Sequence, residues 1–257
     1  MRSLCLLAAG VVSMACSPLV MAETITVEAH SLMRLPNKTS ALQLDRLEVA
    51  DYGTLLIPAG LTEVKVGELI LGHEARIAIV PSAEPFNLVV RRGELGAGSQ
   101  ITARGAPGTF ERPALPGRNL TLRLDQITAE ELSVDARGGA GAPGYVGLDG
   151  GNGQDPGCTW GAAGRGFNGD NGGNGHDGAP GAQVRLELPR DYPAQRINVQ
   201  VQGGAGGLPG AGGLAGKGGE SKGCIVYRAD GGKAGHAGLP GQPGIAGPAG
   251  LVNVQRF

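Results

Sequence analysis

The sequence predicts an all-β body, a β-solenoid or a sandwich of short strands, with an inserted glycine-rich polyproline II helix bundle. Three observations predict it. Glycine holds every third position in four runs of equal length: Gly138 to Gly153, Gly166 to Gly181, Gly204 to Gly219 and Gly235 to Gly250. Segments that alternate polar and apolar residues precede, separate and follow these runs. Cys158 follows Gly153 at the same offset as Cys224 follows Gly219.

The N-terminus reads as an export signal. Met1-Arg2 is a short basic start, Leu4 to Met14 is apolar but too short to span a membrane, and Val20-Met21-Ala22 is a small-residue cleavage site. Residues 1–22 are therefore expected to be a signal peptide, with the mature chain secreted, periplasmic or on the cell surface. Lipidation at Cys16 is the rival reading, and Ser13-Met14-Ala15 before it is a poor lipoprotein match. No later segment is apolar for long enough to suggest a membrane span. Net charge is −1 and the basic residues do not cluster, so nucleic acid is not an expected partner.

Residues 23–137 form the β-strand body. Glu23-Thr24-Ile25-Thr26-Val27, Val64-Lys65-Val66, Leu120-Thr121-Leu122-Arg123-Leu124 and Leu132-Ser133-Val134 alternate as half-buried strands do, and Gly53, Gly60, Gly67, Gly72, Gly93 and Gly96 punctuate them. Residues 87–105, 119–138 and 182–203 resemble one another, each reading as two strands joined by a polar connection. Repeats of this size suggest stacked coils or successive strand pairs of a sandwich. Residues 251–257 supply a closing strand.

Residues 138–250 carry two glycine-rich arms around the strand pair 182–203. Each arm leaves the body along one leg and returns along another. A three-residue glycine period is that of polyproline II, and one face of such a helix has no side chains to hold neighbours apart. A leg of this length spans roughly 45 Å. If the outbound legs run side by side, Cys158 and Cys224 reach the same height and can bridge, as two cysteines in an exported chain should.

The four glycine runs and the tip cysteines resemble the antiparallel polyproline II bundles of snow flea antifreeze proteins and the glycine-rich sandwich of phage tail-fibre tip adhesins. The resemblance covers residues 138–250. It implies a rigid bundle, and in the phage adhesins the loops at the bundle's end bind the partner; here those are residues 154–165 and 220–234. The predicted signal peptide departs from the phage pattern. Residues 232–250 also look collagen-like, although a triple helix needs long uninterrupted triplets from three chains.

The tips hold the candidate binding residues: Thr159, Trp160, Arg165 and, at the start of the return leg, Phe167 in the first arm, and Tyr227 and Arg228 beside Lys222 and Ile225 in the second. Aromatic and arginine side chains near a disulfide suit a recognition surface. The alternative is a plug that keeps water from the bundle end. Residues 150–155 and 172–177 each match half of a calcium-binding β-roll repeat, which makes Asp155 and Asp177 candidate metal ligands, but true repeats work in tandem. His30, His73, His176 and His236 are scattered, and no catalytic constellation or cofactor motif is present.

The expected function is a non-enzymatic surface or extracellular matrix protein, an adhesion module that presents its tips to a glycan or a cell-envelope protein. Two alternatives are an ice-binding protein, for which Ala234, Ala237, Ala246 and Ala249 offer an apolar row interrupted by Pro240 and Pro243, and a self-assembling structural subunit of the cell envelope.

Overall fold

The computed structural model describes residues 23–37, 39–129, 131–159 and 161–257. The expected signal peptide at 1–22 and Trp160 lie outside the described residues. Two large sheets dominate. One holds β1 (Thr24–Val27), β3 (Ala41–Val49), β5 (Glu63–Leu71), β7 (Phe86–Leu95), β9 (Leu120–Ala129), β11 (Val184–Leu188) and β15 (Val252–Arg256), in that order. The other holds β2 (Leu32–Arg34), β4 (Thr54–Ile57), β6 (Arg76–Ile79), β8 (Ser99–Thr102), β10 (Leu132–Asp135) and β12 (Ile197–Gln200). Every pairing between neighbours in these two sheets is parallel. The chain therefore lays one strand in each sheet and then repeats.

Like residues stack on like. Leu44, Val66, Val90 and Leu124 stand in register in the larger sheet, and Leu55, Ile77, Ile101 and Val134 do so in the smaller. All eight are buried in one hydrophobic cluster fed by both sheets. Such aliphatic columns supply core area in a chain whose aromatic content is only 4%. Residues in the left-handed region, His30, Tyr52, Glu74 and Gly98, mark the corners of successive turns of the chain. His30 stacks on Tyr52 with ring centroids 4.9 Å apart, and His73 meets the same tyrosine edge-on at 5.5 Å.

One cation is buried in this body. The Arg118 guanidinium donates to the carbonyls of Glu84 (2.8 Å), Val80 (3.3 Å), Ala59 (3.1 Å) and Leu61 (2.9 Å). It also sits 5.4 Å from the Phe86 ring centroid. Arg118 thus ties together the three connections that lead into β5, β7 and β9. Burial lowers its pKa, and the charge of Glu84 opposes that shift.

The expected fold class needs correction. The body, predicted as a solenoid or a sandwich of short strands, is two large parallel sheets of seven and six strands, whose longest members, β7 and β9, run to ten residues. The predicted polyproline II helix bundle is not seen. The glycine runs hold no assigned helix or strand, and helix among the described residues is confined to Ala194–Arg196. The three-residue period misled because it is a period of contacts between neighbouring segments, and such contacts do not by themselves make a helix.

Those contacts are regular. The first outbound leg (138–153) donates from Gly141, Gly144, Gly147 and Gly150 to the carbonyls of Ala205, Leu208, Ala211 and Leu214 on the second outbound leg (204–219). The first return leg (166–181) donates likewise from Gly169, Gly172, Gly175 and Gly178 to His236, Leu239, Gln242 and Ile245 on the second return leg (235–250). Cross-bonds join the two layers: Gly207 and Gly210 donate to His176 and Gly173, and Gly241 and Gly244 donate to Gly210 and Gly207. Glycine is required because neighbours occupy the Cβ position. A Cβ on Gly141 would stand 2.0 Å from the His176 carbonyl oxygen, and one on Gly207 would stand 1.9 Å from that of Ala142. The legs prolong the sheets directly: Ala136 and Gly138 donate to Gln200 and Gln202, which extends the β10–β12 pairing into the outbound layer. At this foot, burial pushes the Asp135 carboxyl up. Two bonds from the Arg137 guanidinium, at 2.9 and 2.7 Å, together with the Arg137 N–H and the charges of Arg137 and Arg104, outweigh burial and hold it below the usual carboxylate range.

The bonding between parallel legs has one direction. Just before the second outbound leg and along it, the N–H groups of Gly203, Gly206, Gly212, Ala215 and Gly218 find no acceptor among the described residues. The same holds for Ala234, just before the second return leg, and for Ala237, Ala246 and Ala249 on it. The outer pair of legs therefore ends in a row of open donors.

Candidate functional site

The arm ends are joined covalently. Cys158 and Cys224 form a disulfide across a sequence separation of 66. Beyond it, β13 (Lys222–Gly223) and β14 (Arg228–Ala229) pair antiparallel, and the Cys224 N–H donates to the Tyr227 carbonyl at 2.8 Å to close the hairpin. Two residues, Ile225 and Val226, form the apex. Tight hairpin turns favour asparagine, aspartate and glycine. An aliphatic pair there is costly in water, yet Ile225 and Val226 are 104% and 90% exposed. Exposed apolar side chains grouped on a rigid support point to a contact surface.

The Tyr227 hydroxyl donates to the Cys158 carbonyl at 2.7 Å, so it pins one tip to the other while its ring stays half-exposed. The Arg228 guanidinium donates to Ser221 Oγ at 3.0 Å. Thr159 is exposed next to Cys158. Thus Thr159, Tyr227 and Arg228 share the tip with the disulfide. Arg165 is exposed at the end of the first tip loop. Phe167 stands apart from the hairpin: its N–H donates to Gly151, and its ring lies over Gly151 on the side of the leg array. Sequence reasoning named Ile225 without weighing it and missed Val226. The available signal was an Ile-Val pair where a hairpin apex calls for turn formers.

Asp155 and Asp177, the calcium candidates, have backbone partners. Their Oδ1 atoms accept from the N–H groups of Glu220 and Ile245, each at 2.7 Å. They belong to a ladder of side-chain bridges between parallel legs, with Asp149 to Leu214, Asn152 to Lys217, Asn168 to His236, Asn171 to Leu239 and Asn174 to Gln242. Each bridge meets an N–H that leg-to-leg backbone bonding leaves open. No group of three or more His, Cys, Asp or Glu side chains that could hold a metal ion gathers among the described residues. His176 and His236 are exposed on the legs. No helix among the described residues is long and apolar enough to cross a membrane.

Reduction of the disulfide should lower the stability of the arms by about 4 kcal/mol in the chain-entropy description of a loop this long. Hydrogen exchange of the leg amides with and without reductant measures this. Equal protection in both conditions would show that the legs hold without the bridge.

A second concave region lies on the larger sheet. A cleft of about 610 Å³ is lined by Asp45, Gly67, Arg91, Arg92, Asp125 and Gln126, one or two residues from each of β3, β5, β7 and β9. The sheet pairing skips Asp45, Gly67, Arg91 and Asp125, and the buried alternation slips there: Leu44 to Leu47, Val66 to Leu69 and Val90 to Gly93. Each strand kinks at this column and turns two consecutive residues outward.

No family model, no curated protein and no solved structure matches this chain.

Proposed function

We propose that the protein is an exported, non-enzymatic binding module that attaches through its disulfide-capped hairpin to a cell-envelope protein. The observation that carries this is the exposed Ile225-Val226 apex, held at the far end of two hydrogen-bonded arms. An aliphatic pair fits an apolar recess on a partner protein, and burying it there would recover roughly 1.5–3 kcal/mol per side chain. Tyr227 and Arg228 at the rim add the aromatic and guanidinium groups that protein interfaces favour. A disulfide in so exposed a place persists in an oxidising compartment, which agrees with export.

The test is the double variant Ile225→Ser, Val226→Ser in the oxidised protein. Binding to intact cells or an isolated envelope fraction should fall by about tenfold or more, the equivalent of one lost aliphatic contact. The thermal unfolding midpoint should not move, because neither side chain packs on the protein. Unchanged attachment would remove the hairpin as the contact point.

A further inference from the structure

The kinked column on the larger sheet holds a charge imbalance. Five of the basic residues on this sheet are engaged. Arg46 pairs with Glu48 and Glu68, Lys65 with Glu63, Arg123 with Asp125, and Arg185 with Glu187. Arg256 donates to the Pro189 carbonyl. Arg91 and Arg92 have no hydrogen bond or ion pair among the described residues. The acids nearest in the ladder are already taken: Glu68 stands opposite Arg92 but pairs with Arg46, and Asp125 pairs with Arg123. Two adjacent guanidinium groups are thus left facing a cleft of about 610 Å³. An adjoining hollow shares Asp45, Gly67 and Arg91 with it and adds Gln43, Lys65 and Val89. Together they make a trough across four neighbouring strands, roughly 14 Å at the usual strand spacing.

We infer that this trough binds an acidic polysaccharide, a polymer of linked sugars some of which carry carboxylates. Guanidinium groups bind carboxylates through paired N–H donors, and this is where an unpaired arginine outperforms lysine. Asp45, whose carboxylate has no hydrogen bond or ion pair among the described residues, and the amides of Gln43 and Gln126 suit sugar hydroxyls, which both donate and accept. The same acids argue against nucleic acid. A phosphodiester places a charge on every link, and Asp45 and Asp125 would oppose it along the trough. Sparse carboxylates separated by hydroxyls match an arginine pair flanked by acids. This site is separate from the tip hairpin and does not depend on the reading of that hairpin.

Titration calorimetry of the oxidised full chain with an oligogalacturonate tests the inference, with a neutral oligoglucan and single-stranded DNA of similar length as comparisons. The native protein should bind the uronate with an affinity that falls as salt rises, and should bind the neutral glycan far less. Arg91→Gln with Arg92→Gln should weaken uronate binding on the order of tenfold or more, the value of losing charged hydrogen bonds. The Arg91→Lys, Arg92→Lys variant, which keeps the charge and loses the paired geometry, should fall between. The Ile225→Ser, Val226→Ser variant should bind the uronate like the native chain. Absence of saturable uronate binding, equal binding by the Gln variant, or tighter binding of DNA would each overturn the assignment. Should the Gln variant unfold, the folded Lys variant still decides, since full retention of affinity would exclude guanidinium recognition.

Discussion

Replacing Arg118 by methionine is expected to lower the unfolding free energy by about 3–5 kcal/mol. Methionine fills much of the volume but donates nothing. Four carbonyls, those of Ala59, Leu61, Val80 and Glu84, would lose a donor that the structure supplies from one side chain. They lie on two successive connections, those into β5 and β7, and the arginine itself sits on a third, so the loss would spread across the body. No carboxylate accepts a hydrogen bond from this guanidinium; its charge is met by carbonyl dipoles and the Phe86 ring. Arg118→Lys should fall between, since an ammonium has three donors and cannot reach four acceptors set out for a planar fork. Urea denaturation reads the effect. A methionine variant within about 1 kcal/mol of the native chain would show the carbonyls finding water or one another.

Gly210→Ala should break the arms apart while the early strands stay folded. A Cβ there would lie 1.8 Å from the Tyr145 carbonyl oxygen. The backbone of Gly210 also donates to Gly173 and accepts from Gly241, so retreat from Tyr145 strains two further legs. Overpacking commonly costs about 1–3 kcal/mol, and a backbone clash fixed on three sides belongs at or beyond the top of that range. Gly223→Ala is the matched comparison, because a Cβ at Gly223 meets nothing within 4 Å. Hydrogen exchange should show the leg amides unprotected in the first variant and native-like in the second, with β3, β5 and β7 protected in both. Indistinguishable variants would mean the legs tolerate a wider spacing.

Much of the arm arrangement was legible because glycine period and cysteine offset are exact arithmetic on the chain. Equal legs with cysteines at equal offsets place both tips at one height, and the disulfide follows. What the period could not convey was its cause. It records which N–H groups and which Cβ positions face a neighbour, and the helix bundle inferred from it is not seen. The β-body was less legible for a local reason. In β3, β5 and β7 the apolar alternation slips by one residue at Asp45, Gly67 and Arg91, so each long strand reads as two short ones. The resemblance among residues 87–105, 119–138 and 182–203 did mark successive strand pairs. The tip residues were found from their aromatic and basic chemistry, whereas the aliphatic apex was passed over, because isoleucine and valine read as core wherever neighbours are unknown. Arg118 gave no signal at all: an arginine beside asparagine in a polar connection looks solvated until the carbonyls around it are seen.

The one-way bonding of the parallel legs has a consequence for how such a slab is finished. Where the inner pair carries asparagine and aspartate that reach the next backbone, the outer pair carries Ala205, Leu208, Ala211 and Leu214 on one layer and His236, Leu239, Gln242 and Ile245 on the other. Pro209, Pro240 and Pro243 delete three of the hydrogens that a further leg would need. The array thus writes its own full stop: inner legs are chemically joiners, outer legs are terminators, and lengthening the series would require rewriting the last pair before adding another.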